Sequence, residues 1–336
     1  MDRRLPRGPL PAGPRRGRPE LPWPLYVHIP FCWSMAPTAG CNVVISKDQS
    51  RGDAYLADLA VEMDRVVETL GRGRPVRSLH LGGGTPTFLS EAQLDRLAGL
   101  VTDRFSPEAT AELSVEINPS VTSLEQLRTL RRLGFNRLSM GVQDLDLDVQ
   151  DAIRRTQSFE DTQRFVDYAR GLGFGSINFD LIYGLPRQTT RSWAGTLDQV
   201  LALRPDRLAV YSFAFVPEQR KNQRVLPAAE LPRSGRAKID LFRQALPSRR
   251  SPWRPHTAIG MNHFALPTDE LAQASRRGRL WRSFRATVRG GDGGVRQLGH
   301  QRHRRRLHPE HPPAGPVPPR PGGRPPIARA AARRPR

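Results

Sequence analysis

Cysteine is scarce in this 336-residue chain, in which only Cys32 and Cys41 occur. Two cysteines cannot build the disulfide framework of a small secreted domain, so a reducing compartment, the cytoplasm, is the expected location. Long apolar runs are also missing, which excludes a transmembrane helix of about 20 apolar residues. The first 18 residues are rich in Arg and Pro and lack the apolar segment of a secretory signal. We therefore expect no membrane partner.

Acidic residues are few, 32 against 53 lysines and arginines, which leaves a formal net charge of +21. Such an excess is typical of nucleic-acid-binding proteins. Its distribution argues against that function, because residues 1–24 carry +4 and residues 285–336 carry +11, and only +6 remains for residues 25–284. Both ends are rich in Arg and Pro without helical or strand periodicity, and we expect them to be disordered. They also lack the interleaved aromatic residues on which bases stack, so a nucleic-acid partner is not expected.

Between residues 25 and 246, short apolar segments alternate with amphipathic helical segments. Six apolar segments are predicted strands, namely residues 25–29, 78–82, 113–117, 137–142, 177–182 and 208–213. Their apolar character predicts parallel strands covered on both faces. Ser90 with Gln93, and Ser123 with Gln126, are predicted to begin two of the helices as capping boxes. The repeated strand–helix units predict an α/β fold, a partial barrel of six (β/α) units.

Polar and Gly-rich segments follow the carboxyl ends of the predicted strands, the edge at which parallel α/β proteins bind ligands. The first segment is residues 28–41. The second is residues 83–87, which together with the preceding Gly82 includes three consecutive glycines. Glycine lets a backbone approach a ligand closely, although such a triplet also occurs in plain tight turns. The second segment is not a P-loop, because it lacks Gly-Lys-Ser/Thr. The placement of these segments favours an enzyme or the descendant of one.

The residues around the first strand end carry a resemblance to a known family. The chain reads Tyr26-Val-His-Ile-Pro-Phe-Cys32 and, after eight residues, Cys41-Asn. This resembles the oxygen-independent coproporphyrinogen III oxidases, which are radical S-adenosylmethionine (SAM) enzymes. That family carries Cys-x3-Cys-x2-Cys-x-Cys here, and the first three cysteines bind a [4Fe–4S] cluster. Cys32 matches the first ligand and Cys41 the last cysteine, but Ala36 and Ala39 stand where the other two ligands are expected.

Three interpretations of the two alanines stay open: a pseudoenzyme, a deliberate Cys→Ala mutant and a sequence error. We favour the error for a reason that lies in the codons. The family's Cys-Pro-Tyr-Cys can be encoded TGC-CCC-TAC-TGC, and reading this string one base later gives Ala-Pro-Thr-Ala, the residues at 36–39. As written, the chain keeps Cys32 as a metal ligand in an incomplete set.

The Gly-rich segment and the next strand end extend the resemblance. Gly83, Gly84 and Thr85 match the family's loop along the methionine part of SAM. Glu116 matches a SAM-binding glutamate. Without the resemblance, a lone carboxylate at a strand end would be interpreted as a solvated residue or a helix cap.

Later strand ends add the remaining candidates. Gln143, Arg155 and Asp180 match family positions that hold a second SAM molecule or face the substrate. Tyr26 and Ala214 are assigned to the same cofactor-binding rim by resemblance alone. We expect all of these residues, with the glycine loop and Glu116, to surround one cavity.

The resemblance implies a function in haem biosynthesis, the oxidative decarboxylation of two propionate groups of coproporphyrinogen III to vinyl groups. It implies a [4Fe–4S] cluster and SAM as cofactors, a porphyrinogen substrate, an electron donor for the cluster and a monomeric protein. No catalytic side chain is assigned, because the cofactors carry the difficult chemistry. With its ligand set incomplete, this chain is expected to be inactive. The alternatives are a haem-binding or haem-transfer protein of the same fold and a non-catalytic basic scaffold.

The resemblance weakens after residue 246. Residues 247–257 interrupt a helix that the family continues, so residues 247–284 are interpreted as a remnant of its C-terminal substrate-covering region. From about residue 285 the chain resembles GC-rich DNA translated in a wrong frame. We therefore expect residues 285–336 to form a disordered basic tail.

Overall fold

The computed structural model of the chain describes residues 22–40, 43–232, 234–246, 255–260, 262–278 and 296–298. The strands in these ranges are β1 (Trp23–Ile29), β2 (Phe31–Cys32), β3 (Val44–Ile45), β4 (Arg74–Gly83), β5 (Phe105–Ile117), β6 (Arg137–Gln143), β7 (Ser176–Tyr183), β8 (Arg207–Ser212), β9 (Thr257–Ile259), β10 (His263–Ala265) and β11 (Arg296–Leu298). The α-helices are α1 (Arg51–Leu70), α2 (Glu91–Thr102), α3 (Leu124–Arg132), α4 (Leu147–Ala152), α5 (Phe159–Gly171), α6 (Thr190–Ala202), α7 (Gly235–Gln244) and α8 (Glu270–Arg276). None of these helices combines the length and apolar character needed to cross a bilayer.

The main sheet has the strand order β11-β1-β4-β5-β6-β7-β8-β10-β9, and β1 and β4 to β8 run parallel. These six strands contain the six predicted segments, except that Phe213 lies beyond the end of β8. Helices follow the parallel strands as crossovers. The α/β prediction is confirmed. Because β11 and β9 stand at opposite ends of the strand order, the barrel is partial, as expected.

Local chemistry explains where several helices begin. The hydroxyl of Ser90 accepts from the backbone N–H of Gln93, whose side chain accepts from the N–H of Ser90, and Ser123 and Gln126 repeat the pattern at α3. Both predicted capping boxes are therefore confirmed. Helix α1 packs one apolar stripe against the sheet, and burying each large side chain contributes about 1.5–3 kcal/mol. The stripe consists of Tyr55, Leu56, Leu59, Met63 and Val67.

The two faces of the central strands differ, which the sequence analysis did not foresee. Leu79 and Leu81 belong to the apolar core, but the residues that alternate with them lie on the opposite face of β4. That inner face is polar. Its residues lie opposite one another on neighbouring strands, and some of their side chains form hydrogen bonds with each other. It includes Tyr26, His80, Ser114, Ser139 and Asn178. The prediction of parallel strands is confirmed, whereas the near-continuous apolar character that supported it does not hold for this inner face.

Part of the predicted C-terminal remnant packs on the edge of the sheet. Strand β10 pairs antiparallel with β8 and with β9. At the amino end of the parallel strands, Arg207 Nε lies 2.8 Å from Asp269 Oδ1, and Arg137 Nη2 lies 2.8 Å from Glu270 Oε2. Asp269 also caps α8 by accepting from the N–H of Leu271. These ion pairs join residues 263–278 to the barrel. The rest of the predicted remnant, residues 247–254, 261 and 279–284, lies outside the described residues.

The predicted disordered ends need two corrections. Strand β1 begins at Trp23, inside the segment 1–24 that was expected to be disordered. Strand β11 lies inside the predicted disordered tail 285–336 and pairs parallel with β1, with Leu25 opposite Arg296. The reason is that the outer edge of β1 offers backbone groups that an extended segment can pair with, whatever its side-chain pattern. Residues 1–21, 285–295 and 299–336 lie outside the described residues.

Candidate cofactor site at the carboxyl end of the barrel

The carboxyl ends of the parallel strands meet at one edge of the sheet and bring the predicted residues of neighbouring strands together. The backbone N–H of Gly83, at the end of β4, donates to Glu116 Oε2 at 3.1 Å, at the end of β5. The two residues therefore lie side by side at the same end of the barrel. Across the sheet, the charges of Glu116 and Arg155 both act on the carboxyl group of Asp180.

The glycine loop is packed tightly against the segment that follows β1. A Cβ on Gly83, whose φ is +119°, would lie 2.6 Å from the carbonyl oxygen of Ile29. A Cβ on Gly84 would lie 2.5 Å from the carbonyl oxygen of Phe31. The N–H groups of Gly84 and Thr85 donate to these same two carbonyl groups, each at 2.8 Å. The glycines are thus required by packing within the chain, whatever ligand lies above them.

His80 is a site residue that the sequence analysis missed. Its Nε2 lies 3.0 Å from Glu116 Oε1, and its Nδ1 lies 2.7 Å from the hydroxyl of Ser114. The ring of Tyr26 stacks on the ring of His80 with centroids 5.6 Å apart. His80 therefore lies between Tyr26 and Glu116 and contacts both of them. The sequence feature that could have identified His80 is the alternation of side chains along β4, which places His80 on the same face as Gly82.

Arg155 and Asp180 form the other half of the site. Arg155 Nη2 donates to the carbonyl oxygen of Gly141 at 2.5 Å and to Asn118 Oδ1 at 3.0 Å, while its buried Nε has no hydrogen-bond partner among the described residues. Burial lowers the pKa of Arg155 to about 10, opposed by the charge of Asp180. Gln143 is close by, because a Cβ on Gly141 would lie 2.8 Å from Gln143 Nε2.

The carboxyl group of Asp180 has an unusual pKa, raised to about 7. Burial is the largest cause, and the negative charge of Glu116 adds to it. Hydrogen bonds from Asn178 and Ser139, and the charge of Arg155, oppose the shift. The site therefore holds a carboxyl group that exchanges its proton near neutral pH.

Ala214 follows the end of β8 at the same edge of the sheet. Its carbonyl oxygen accepts from Gln223 Nε2 at 2.9 Å. Among the described residues, no hydrogen bond links Ala214 to Asp180 or Arg155. The structure thus places Ala214 on the rim but does not join it to the polar cluster.

A cavity of about 310 Å³ opens elsewhere, at the start of α6. The nine residues that were expected to surround one cavity are absent from its lining. The lining consists of Asp146, Thr189, Arg191, Ser192, Gly195, Thr196 and Gln199.

In the segment that resembles the cluster motif, residues 36–39 form a turn, and Cys41 lies outside the described residues. Cys32 ends β2, and its thiol lies 3.5 Å from the hydroxyl of Thr85. Burial raises the pKa of the Cys32 thiol, and the Thr85 hydrogen bond opposes the shift. The N–H of Ala39 donates to the carbonyl oxygen of Ala36 at 3.0 Å. From the far side of the rim, Asn222 Nδ2 donates to three carbonyl groups of this turn, those of Ala36, Pro37 and Ala39, at 3.1–3.3 Å.

The substitution Asp180→Asn tests the raised pKa of Asp180. Because the folded-state pKa, about 7, lies above the ordinary aspartate value of 3.8, the wild-type carboxyl contributes stability at low pH that is lost as pH rises toward about 7. Asparagine resembles the protonated acid at every pH. We therefore expect the variant to match the wild type at about pH 4 and to exceed its free energy of unfolding by about 2 kcal/mol at about pH 8. This is about half the free energy that the full pKa shift corresponds to, a reduction made because residue 180 as a whole is half-buried.

Urea unfolding at a series of pH values measures this difference. Asp167→Asn, at an exposed position of α5, controls for the change of net charge. A stability difference for Asp180→Asn that stays constant from acid to alkaline pH would contradict the shifted pKa.

Comparison with known proteins finds relatives over most of the chain. The chain is 44% identical over 265 residues to an oxygen-independent coproporphyrinogen III oxidase of Pseudomonas aeruginosa, covering 78% of this chain and 57% of that protein. It is 43% identical over 281 residues to the enzyme of that name from Escherichia coli strain K12, covering 84% of this chain and 61% of that protein. This chain therefore spans about three fifths of the length of these curated relatives.

The fold is similar to a solved structure as well. The coproporphyrinogen III oxidase of Escherichia coli, described as a radical SAM enzyme, superposes with a TM-score of 0.78 at 43% identity and covers 84% of this chain and 64% of that one. A family model, the radical SAM superfamily, matches residues 30–200, which is half of the chain. That range runs from the Cys32 segment through the glycine loop to Glu116, Arg155 and Asp180. The chain belongs to the radical SAM superfamily.

Proposed function

We propose that this chain is the SAM-binding barrel of an oxygen-independent coproporphyrinogen III oxidase, and that it is inactive as written. The names of the relatives, at 43–44% identity, support the reaction. The observation that carries the SAM site is Glu116, whose carboxylate is held at the mouth of the barrel beside the glycine loop with 39% of its side chain exposed. A carboxylate in this place suits the positively charged groups of SAM.

The residues on the rim fit SAM in a second respect. Arg155 carries a buried Nε without a hydrogen-bond partner among the described residues, and such a donor is costly unless a ligand or water satisfies it. SAM carries a carboxylate as well as positive charges, so the rim offers a partner for each sign. Glu116 would hold the cationic groups, and Arg155 would bind an anionic group of a second SAM molecule or of the substrate. When bound, SAM supplies the hydrogen-abstracting chemistry of the family.

The residues present do not fit a [4Fe–4S] cluster. Such a cluster needs three thiolates in this family, and this turn offers the thiol of Cys32 with alanine at positions 36 and 39. Within the described residues no group of three His, Cys, Asp or Glu side chains could hold a metal ion.

The proposal includes the partners and the location of the protein. The names of the relatives support a porphyrinogen substrate. The low cysteine content supports a reducing compartment, the cytoplasm. An electron donor for the cluster and a monomeric state rest on the family resemblance.

Equilibrium dialysis with labelled SAM tests the proposed site. The chain as written should bind SAM, and Glu116→Gln should weaken binding about 10- to 100-fold, because a charge-assisted hydrogen bond contributes about 1.5–3 kcal/mol. Glu125→Gln, at an exposed position of α3, is the matched control.

Two results would contradict the proposal. The first is haem binding without SAM binding, which would favour a haem-transfer protein. The second is conversion of coproporphyrinogen III by the chain as written, which would contradict its inactivity.

A further inference from the structure

We propose that His80 is a positioning residue, which holds the Glu116 carboxylate in the orientation from which it binds a cationic group of SAM. The inference rests on the proposed function, because it takes Glu116 to face SAM. It concerns a residue that lies one layer below the rim on β4.

His80 is held from three directions. It is buried, with 8% of its surface exposed. Ser114 contacts Nδ1 at 2.7 Å, and Tyr26 stacks on the ring at an interplanar angle of 25°. These contacts leave the imidazole one orientation, in which Nε2 faces Glu116 Oε1 at 3.0 Å. An ionised carboxylate only accepts, so Nε2 is the atom that donates.

Glu116 is in turn held by both of its oxygens. Oε1 faces His80, and Oε2 accepts from the N–H of Gly83 at 3.1 Å. A carboxylate has about four lone-pair sites, so two such bonds fix its plane and leave capacity for a ligand. The 39% of the side chain that is exposed lies where a ligand can reach it. His80 and Gly83 together therefore set the direction in which Glu116 presents its charge.

Gly82 provides the space for this pair. A Cβ at position 82 would lie 2.8 Å from Glu116 Oε1 and 3.0 Å from His80 Nε2. A side chain at position 82 would therefore push the Glu116 carboxylate away from His80. The first glycine of the triplet is thus explained by the His80–Glu116 pair, and the other two by the turn beside Phe31.

Two substitutions at His80 test its contacts with Glu116 and with Ser114 one at a time. The side-chain amide of glutamine reaches the region of Nε2 and can still donate to Glu116, whereas the shorter asparagine reaches only the region of Nδ1 and keeps Ser114 as its partner. Both variants lose the stacking with Tyr26, so a general loss of packing weakens both alike. We expect His80→Gln to bind SAM within about threefold of the unsubstituted chain, and His80→Asn to bind about tenfold more weakly, as expected for one charge-assisted bond.

The experiment is equilibrium dialysis with labelled SAM on the full chain, with thermal unfolding of each variant as the check of folding. In the Glu116→Gln background the two His80 variants should no longer differ, because the group that they position has lost its charge. Nitrogen NMR of histidine-labelled chain supplies a readout without SAM, since Glu116→Gln should shift the Nε2 resonance of His80.

The outcomes distinguish the inference from the proposed function. Absence of SAM binding by the unsubstituted chain contradicts the proposed function. Equal affinities of His80→Gln and His80→Asn, in a chain that binds SAM, overturn this inference alone. An Nε2 resonance that does not respond to Glu116→Gln overturns the His80–Glu116 pair itself.

Discussion

Replacing Ala36 and Ala39 by cysteine is expected to raise the iron content of the anaerobically reconstituted chain from almost none to about four atoms per molecule. The reason is the number of thiolates. Cys32 already stands beside the glycine loop, with its sulfur 2.8 Å from the position of a Cβ on Gly84, and the two new thiols complete the family's ligand set. Metal analysis and the visible absorption of the cluster measure the change.

The matched control replaces the same two alanines by serine. Serine has nearly the size of cysteine but lacks the soft thiolate that iron–sulfur clusters prefer, so iron content should stay low. Removing Cys32 from the repaired chain should again prevent binding. A full cluster in the chain as written would show that Ala36 and Ala39 do not mark lost ligands.

The substitution Gly84→Ala is expected to lower the free energy of unfolding by about 3 kcal/mol or more. Its Cβ would lie 2.5 Å from the carbonyl oxygen of Phe31, a backbone atom that also accepts from the N–H of Thr85. The added methyl group therefore cannot be accommodated by a side-chain rotation. It has to separate the glycine loop from the segment that carries Cys32.

Gly99→Ala is the control for this substitution. Gly99 lies in α2, and a Cβ there meets no atom within 4 Å. Alanine should stabilise the helix by up to about 1 kcal/mol, because glycine loses more backbone entropy on folding. Urea unfolding of the full chain compares the two variants. Similar stabilities for Gly84→Ala and Gly99→Ala would mean that the loop is not packed as described.

Local patterns were sufficient for much of the fold. The six parallel strands were predicted from short apolar segments, and two helix starts from capping boxes, because both signals depend on neighbours along the chain. The contact between Gly83 and Glu116 follows from the same reasoning, since parallel strands bring their carboxyl ends to one edge. The missing ligands at positions 36 and 39 are likewise a fact of the sequence, because no fold can give alanine a metal-binding atom.

Only the tertiary structure showed which distant polar residues contact each other. His80 and Glu116 are 36 residues apart, and Asn222 reaches the carbonyl group of Ala36 across 186 residues. Alternation along β4 shows that His80 shares a face with Gly82, but neither pairing can be found from the sequence, because strand register and barrel curvature bring the partners together. The same holds for the polar inner face of the sheet, and for β11, which was expected to be disordered and pairs with the open edge of β1. Sequence determined which segments become strands and helices and which metal ligands are absent, whereas burial, register and long-range hydrogen bonds decided the geometry of the site.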